Sequence, residues 1–119
     1  MSIFAMILIG LIAALHFYIA WFEMFAWESR GPKVFRSFPK DLFGPTKTLA
    51  ANQGLYNAFL AVGLVWSLVI KDPVWSQNVA ICFLGFVAAA GLYGAATASK
   101  RILYVQAAPA LVALALILI

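Results

Sequence analysis

A histidine and a glutamate lie near the end of the first long apolar run of the sequence, where ionisable residues are uncommon. His16 and Glu23 are seven residues apart, so a helix places them two turns apart on one face. An ionisable side chain within hydrocarbon-like sequence is costly unless it is paired, and it usually marks a functional site. We therefore predict that Glu23 acts as an acid or base and that His16 shares its protons.

A group of polar side chains opens the second long apolar run. Its members occupy a contiguous arc, at positions i, i+1, i+4 and i+5 of one helix. They are Asn52, Gln53, Tyr56 and Asn57. Because amides and phenols hydrogen-bond to buried carboxylates, we predict that the first two members donate to Glu23. We expect the last two to meet His16, and the group as a whole to orient a ligand.

The composition indicates that these residues lie in a membrane protein. Of the 119 residues, 66% are apolar and 10% are charged, against about 45–50% and about 25% in soluble domains. Apolar blocks of about 20 residues span a bilayer, and Asp72-Pro73 is typical of a capped helix start. The sequence predicts an all-α, four-helix transmembrane bundle, a single domain over residues 1–119. Its helices are expected at about residues 3–28, 46–70, 73–98 and 101–119.

The basic residues are concentrated in two connectors. Seven of the eight Lys and Arg residues lie at residues 30–47 or 100–101. Because basic loops stay in the cytoplasm, we predict that the first and third connectors face inward and that both termini lie on the outer side. The predicted location is the bacterial cytoplasmic (inner) membrane, with several passes. The net charge of +4 is thus a topology signal, and no nucleic-acid partner is predicted.

The first connector, residues 29–45, mixes basic residues with phenylalanine, proline and glycine. Proline at this density predicts that no continuous helix runs through it. Phe35, Phe38 and Phe43 make the segment too apolar for a solvated loop. We therefore predict that it lies on the cytoplasmic membrane surface and contacts membrane lipids.

Further polar residues fall at a similar depth in the later helices. At about 1.5 Å per residue from the basic helix ends, Tyr93 and Gln106 lie roughly 7–9 Å inside the membrane, close to the level of Glu23. Each of the four helices would then contribute a polar group to one layer on the cytoplasmic side, with apolar sequence beyond it. Such a layer predicts a dead-end pocket open to the cytoplasm, and Trp21 is expected to form part of its wall.

The third predicted helix is rich in small residues. Glycine and alanine at spacing four, such as Gly94 with Ala98, let helices approach closely in lipid. Because four short helices enclose little space, we predict a homo-oligomer, such as a trimer. The single cysteine, Cys82, cannot form an internal disulfide, and we predict it to be a small apolar core residue.

Several kinds of chemistry are not expected of this sequence. One histidine and one cysteine, with no carboxylate at metal-ligand spacing, predict no zinc or iron site. The sequence contains no glycine-rich phosphate loop after a strand and no serine with a plausible triad. We therefore predict no metal and no cofactor.

Two runs of the sequence resemble a family of small bacterial four-helix integral membrane proteins that is classed as a domain of unknown function. They are HFYIAWFEMFAWESRGPKVF (residues 16–35) and AANQGLYNAFLAVGLVW (residues 50–66). The resemblance covers essentially the whole chain and implies the fold and the membrane location.

A more distant architectural similarity is to the membrane-associated superfamily of eicosanoid and glutathione metabolism. Its members are four-helix chains with a basic cytoplasmic first connector, and they form trimers. Their second helix carries arginine, asparagine and glutamate. The corresponding run here has Asn52 and Asn57 but neither the arginine nor the glutamate, so glutathione binding is not carried over.

Three functions remain open at the level of sequence. The first is a site for a small amphipathic or lipid-like ligand, with or without catalysis. The second is a structural or accessory membrane protein whose polar layer fixes helix register. The third is a proton-coupled transporter or channel subunit with His16 and Glu23 as a proton relay.

Overall fold

The computed structural model describes residues 1–119 and is all-helical. Two of its five α-helices, α2 and α5, are short. A 3₁₀ turn at Lys40–Leu42 precedes α3, and a π-helical segment at Leu103–Ala107 leads into α5. The α-helices are α1 (Ile3–Phe25), α2 (Trp27–Val34), α3 (Lys47–Val69), α4 (Pro73–Thr97) and α5 (Ala108–Leu118).

Two helices, α1 and α4, are long and apolar enough to cross a membrane, by length and composition. Helix α3 is as long as α1, with 23 residues, but its first half carries the polar residues Asn52, Gln53 and Asn57. The all-helical architecture is confirmed. The four transmembrane spans and their orientation stay predictions.

The chain forms two compact units. We call Met1–Ala14 with Leu60–Ile119 the bundle unit, and Leu15–Phe59 the connector unit. The bundle unit has an aliphatic core drawn from α1, α3, α4 and α5. Its most deeply buried members include Ile9, Leu64, Ala80, Leu84, Val87, Ala110 and Ala113.

Small residues of α4 serve packing inside the bundle unit. A Cβ added at Gly91 would lie 2.7 Å from the Ala107 backbone nitrogen, so the two backbones approach closely there. A Cβ added at Gly85 would meet nothing within 4 Å. Cys82 is exposed, and its predicted place in the core is wrong, because the buried face of α4 runs through Val79, Ala80 and Leu84 instead.

The first connector is more helical than the sequence predicts. Helix α1 ends at Phe25 rather than near residue 28, since Ala26 leaves the helical region at φ −137° and ψ 30°. Helix α2 then continues through Val34 with Pro32 inside it. Proline removes one helical hydrogen bond, and the ring of Trp27 in this helix packs against Phe35 and Phe43.

These rings form a cluster that ties α2 and the following turns to the end of α1. Its centre is Trp27, whose ring centroid lies 4.9 Å from that of Phe43. Phe43 is 2% exposed and Phe22 is 1% exposed. The aromatic cluster comprises Phe22, Trp27, Phe35, Phe38 and Phe43. The phenylalanines of the connector thus pack on one another and on α1, and a position on the membrane surface stays a prediction.

Candidate functional site

A buried polar face of α1 lies within the connector unit. His16, Ala20 and Glu23 follow one another at helical spacing and are 0%, 4% and 3% exposed. The prediction that His16 and Glu23 share one face is confirmed. About 10 Å along the helix axis separates their Cα atoms, so they form two levels of that face.

Helix α3 presents a complementary face of small residues and one amide: Ala50, Gly54 and Asn57, all buried. A Cβ added at Gly54 would lie 3.0 Å from both the Ala20 carbonyl oxygen and the Glu23 Cβ. Glycine at this position therefore lets α3 approach α1 at the level of Glu23. This close approach brings the next buried residue of α3 to the carboxylate.

That residue is Asn57, whose Nδ2 donates to Glu23 Oε1 at 2.7 Å. Both side chains are buried, Asn57 at 9% and Glu23 at 3% exposure. A short hydrogen bond from an amide to a carboxyl group in a buried setting is among the stronger ones that proteins make. The Glu23–Asn57 pair is the geometric centre of the candidate site.

The predicted partners of Glu23, Asn52 and Gln53, do not reach it. Both are exposed, and Asn52 Nδ2 donates instead to the Thr48 carbonyl one turn earlier, at 2.9 Å. Tyr56 is 67% exposed and is not on the buried face with Asn57. The four-residue polar arc is thus split, because only residues spaced three or four from Gly54 face α1.

The other predicted site residues are placed as follows. Trp21 is 50% exposed, and its ring lies 6.1 Å from that of Tyr18. Tyr93 and Gln106 belong to the bundle unit, where Tyr93 is 73% exposed and Gln106 is partly buried. A polar layer shared by four helices stays a prediction.

Three polar contacts of the connector unit were not predicted. Arg30 Nε donates to the Tyr18 hydroxyl at 2.7 Å, and Trp27 Nε1 donates to Thr46 Oγ1 at 3.0 Å. Lys47 Nζ lies 3.5 Å from Glu28 Oε1. They join residues 12 to 19 positions apart, and sequence offers no signal for them beyond the density of aromatic and basic residues.

Comparison with known proteins identifies the family. The model of the family described as "Protein of unknown function (DUF1304)" matches residues 10–118. The chain belongs to this family. It is also 31% identical over 116 residues, 96% of each chain, to the uncharacterized protein YpaA of Lactococcus lactis subsp. lactis (strain IL1403).

No solved structure matches the chain. The match to the DUF1304 model confirms the resemblance to a family of unknown function. The similarity to the eicosanoid and glutathione superfamily stays a prediction. The buried pair described above lies within the part of the chain that the DUF1304 model matches.

Replacing Asn57 by alanine is expected to destabilise the protein by about 1–3 kcal/mol, because it leaves a buried carboxyl group without its donor. The matched control is Asn52→Ala, which removes an exposed amide of the same helix and should change the stability by less than about 0.5 kcal/mol. Thermal unfolding of both variants in detergent, followed by circular dichroism, measures the difference. Equal stability of the two variants would contradict a stabilising role of the Glu23–Asn57 pair.

Proposed function

We propose that this DUF1304 protein is a multi-pass protein of the bacterial cytoplasmic membrane that binds a small amphipathic ligand at Glu23. In this proposal the chain crosses the membrane four times, with both termini outside, and works as a homo-oligomer such as a trimer. The site opens toward the cytoplasmic leaflet. The observation that carries the proposal is a glutamate, buried to 3% exposure, inside a helix long and apolar enough to span a bilayer.

The membrane location is supported by hydropathy and by charge. Helices α1 and α4 have mean hydropathies of 2.4 and 2.0 over their most apolar windows. Many large apolar side chains on these helices are exposed, including Phe4, Leu11, Phe25 and Phe86. Such a surface is costly in water and favourable in lipid.

The ligand chemistry follows from the Glu23 carboxyl group. Its partner in the structure is the neutral amide of Asn57, and a carboxyl oxygen accepts hydrogen bonds from hydroxyl and amine groups in the same way. A ligand with such a polar head would take over the place of the Asn57 amide.

A structural role of the same pair is the second candidate. It is favoured by the position of the pair beside Gly54, where α1 and α3 approach closely. Interhelical hydrogen bonds in lipid contribute about 0.6 kcal/mol on average, enough to help fix the register of two helices. In that case no ligand is bound, and the protein acts as an accessory membrane component.

The test is native mass spectrometry of the protein extracted gently from its own membrane, comparing wild type with Glu23→Gln. This substitution keeps the shape and an oxygen that accepts from Asn57, but it removes the acid. The matched control is Glu28→Gln, because the Glu28 carboxylate is exposed and pairs with Lys47. We expect a co-purifying small molecule in wild type and E28Q that is lost or reduced about 10-fold in E23Q, as removing one hydrogen bond to a buried carboxyl group predicts.

The alternative outcomes separate the two candidates. A ligand-free oligomer in wild type and in both variants would contradict binding and favour the accessory role. A ligand retained equally in E23Q and E28Q would show a binding site elsewhere and would overturn the assignment to Glu23.

A further inference from the structure

Arg30 belongs neither to the proposed ligand site at Glu23 nor to the aromatic cluster of the connector. It lies in α2, yet its side chain reaches back to α1, where Nε donates to the Tyr18 hydroxyl at 2.7 Å. The guanidinium carbon lies 5.6 Å from the centroid of the Tyr18 ring. Arginine at a helix end normally extends freely toward water. Here a hydrogen bond and a cation–π contact hold it in one place.

The charge of this guanidinium is not neutralised by the neighbouring carboxylate. Glu28, two positions earlier, is 3.5 Å from Lys47 Nζ, whereas the partner of Arg30 is a neutral hydroxyl. An arginine has N–H donors on three nitrogens, and only Nε is used in this contact. The Tyr18 hydroxyl accepts from Arg30 and keeps its own O–H as a donor.

The surface beside Arg30 is aromatic and exposed. Tyr18 is 37% exposed and Trp21, whose ring lies 6.1 Å from it, is 50% exposed. Tyrosine and tryptophan with an apolar body and a polar edge are enriched at the head-group level of membranes. A cation therefore borders an exposed aromatic surface of the kind found at the head-group level.

We propose that Arg30 and Tyr18 form a binding site for the phosphate of an anionic phospholipid, with the exposed ring of Trp21 beside its head group. The terminal amino groups of Arg30 would donate to two phosphate oxygens, the fork geometry that arginine favours. The Tyr18 O–H would donate to the same phosphate. This inference rests on the membrane location proposed above, but not on the ligand of Glu23.

The experiment is a titration of the detergent-solubilised protein with short-chain phosphatidylglycerol, followed by native mass spectrometry. Arg30→Gln is compared with Arg36→Gln, which makes the same change of charge at another exposed position of the connector. We expect R30Q to bind phosphatidylglycerol about 10-fold more weakly than R36Q, as one charge-assisted contact predicts. Tyr18→Phe keeps the ring but removes the hydroxyl, and it is expected to weaken binding about 2- to 10-fold.

Two additional measurements identify the ligand. Phosphatidylcholine, which has the same phosphate but no net charge, is expected to bind more weakly than phosphatidylglycerol and to be insensitive to R30Q. Inorganic phosphate at millimolar concentration should not displace the lipid. Displacement by inorganic phosphate would overturn the lipid assignment in favour of a free-phosphate site.

Equal binding by R30Q and R36Q would overturn the proposal, because it would show diffuse attraction to the basic connector. If R30Q fails to fold, Y18F decides: binding equal to that of R36Q contradicts the site. Glu23 is unaltered in both R30Q and R36Q, so the comparison of these two variants does not depend on the ligand of Glu23. A failure of the Glu23 proposal therefore leaves this result unchanged and is distinguishable from it.

Discussion

Replacing Gly91 by alanine is expected to lower the free energy of unfolding by about 1–3 kcal/mol, the usual cost of overpacking a well-packed core. The added methyl group would lie 2.7 Å from the backbone nitrogen, 2.8 Å from the Cβ and 2.9 Å from the Cα of Ala107. Because two of these atoms are backbone, no rotamer change relieves the contact, and the π-helical segment must move as a whole.

The close contact between Gly91 and Ala107 follows from the π-helical turn before Pro109. Pro109 has no amide proton, so the helical turn before it lacks one donor. The Ala108 N–H donates to the Leu103 carbonyl, five residues back, which is the wide turn of a π-helix. Ala107, fully buried, lies in that turn and faces Gly91.

Gly85→Ala is the matched control for Gly91→Ala. Both glycines lie in α4, but a Cβ at Gly85 would meet nothing within 4 Å. Alanine in a helix interior is favoured over glycine by about 0.5–1 kcal/mol, so G85A should be neutral or stabilising. Thermal unfolding of the two variants in one detergent measures the difference, and similar losses in both would contradict tight packing at Gly91.

The long helices could be predicted from sequence because their signals are local. The predicted range 73–98 becomes Pro73–Thr97 in the structure. Its start is set by Asp72, whose carboxylate accepts from the Val74 and Trp75 amides at 2.9 and 3.3 Å. A capping residue followed by proline fixes a helix start without help from the rest of the chain.

Helix α2 could not be predicted in this way. Gly31 and Pro32 are poor helix residues, and local propensity favours a loop. The structure places the Phe43 ring against Gly31, where an added Cβ would lie 2.5 Å from Phe43 Cε1. A residue twelve positions later thus supports this helix, and such contacts override local preference without leaving a periodic pattern.

Of the candidate site, the shared face of His16 and Glu23 could be predicted from the sequence. Two turns of helix separate His16 from Glu23, and that spacing alone places them on one face. Which polar residue of α3 reaches Glu23 depends on where the two helices approach. Gly54 determines that point, and it selects Asn57 over Asn52. The sequence signal was the small residue at Gly54, three positions before Asn57.

Replacing Phe43 by alanine is expected to destabilise the connector unit by about 3–5 kcal/mol, the largest single effect anticipated for this protein. Phe43 is 2% exposed, and its ring lies 4.9 Å from the rings of both Trp27 and Phe38. The substitution would open a cavity against Gly31 and remove the contacts that hold α2. Hydrogen exchange of the backbone amides should therefore speed up in α2 before it does in α4.

The control is Phe25→Ala, which deletes the same side chain at a position that is 77% exposed. If the aromatic cluster holds the connector as we infer, F25A should keep the wild-type exchange rates in α2, since that ring makes no contact within the cluster. Fast exchange in α2 of the wild-type protein, or equal rates in F43A and F25A, would contradict the inference. In either case the low helix propensity of Gly31 and Pro32 would determine the behaviour of α2. The helix would then be a frayed segment rather than a support for the Arg30 site.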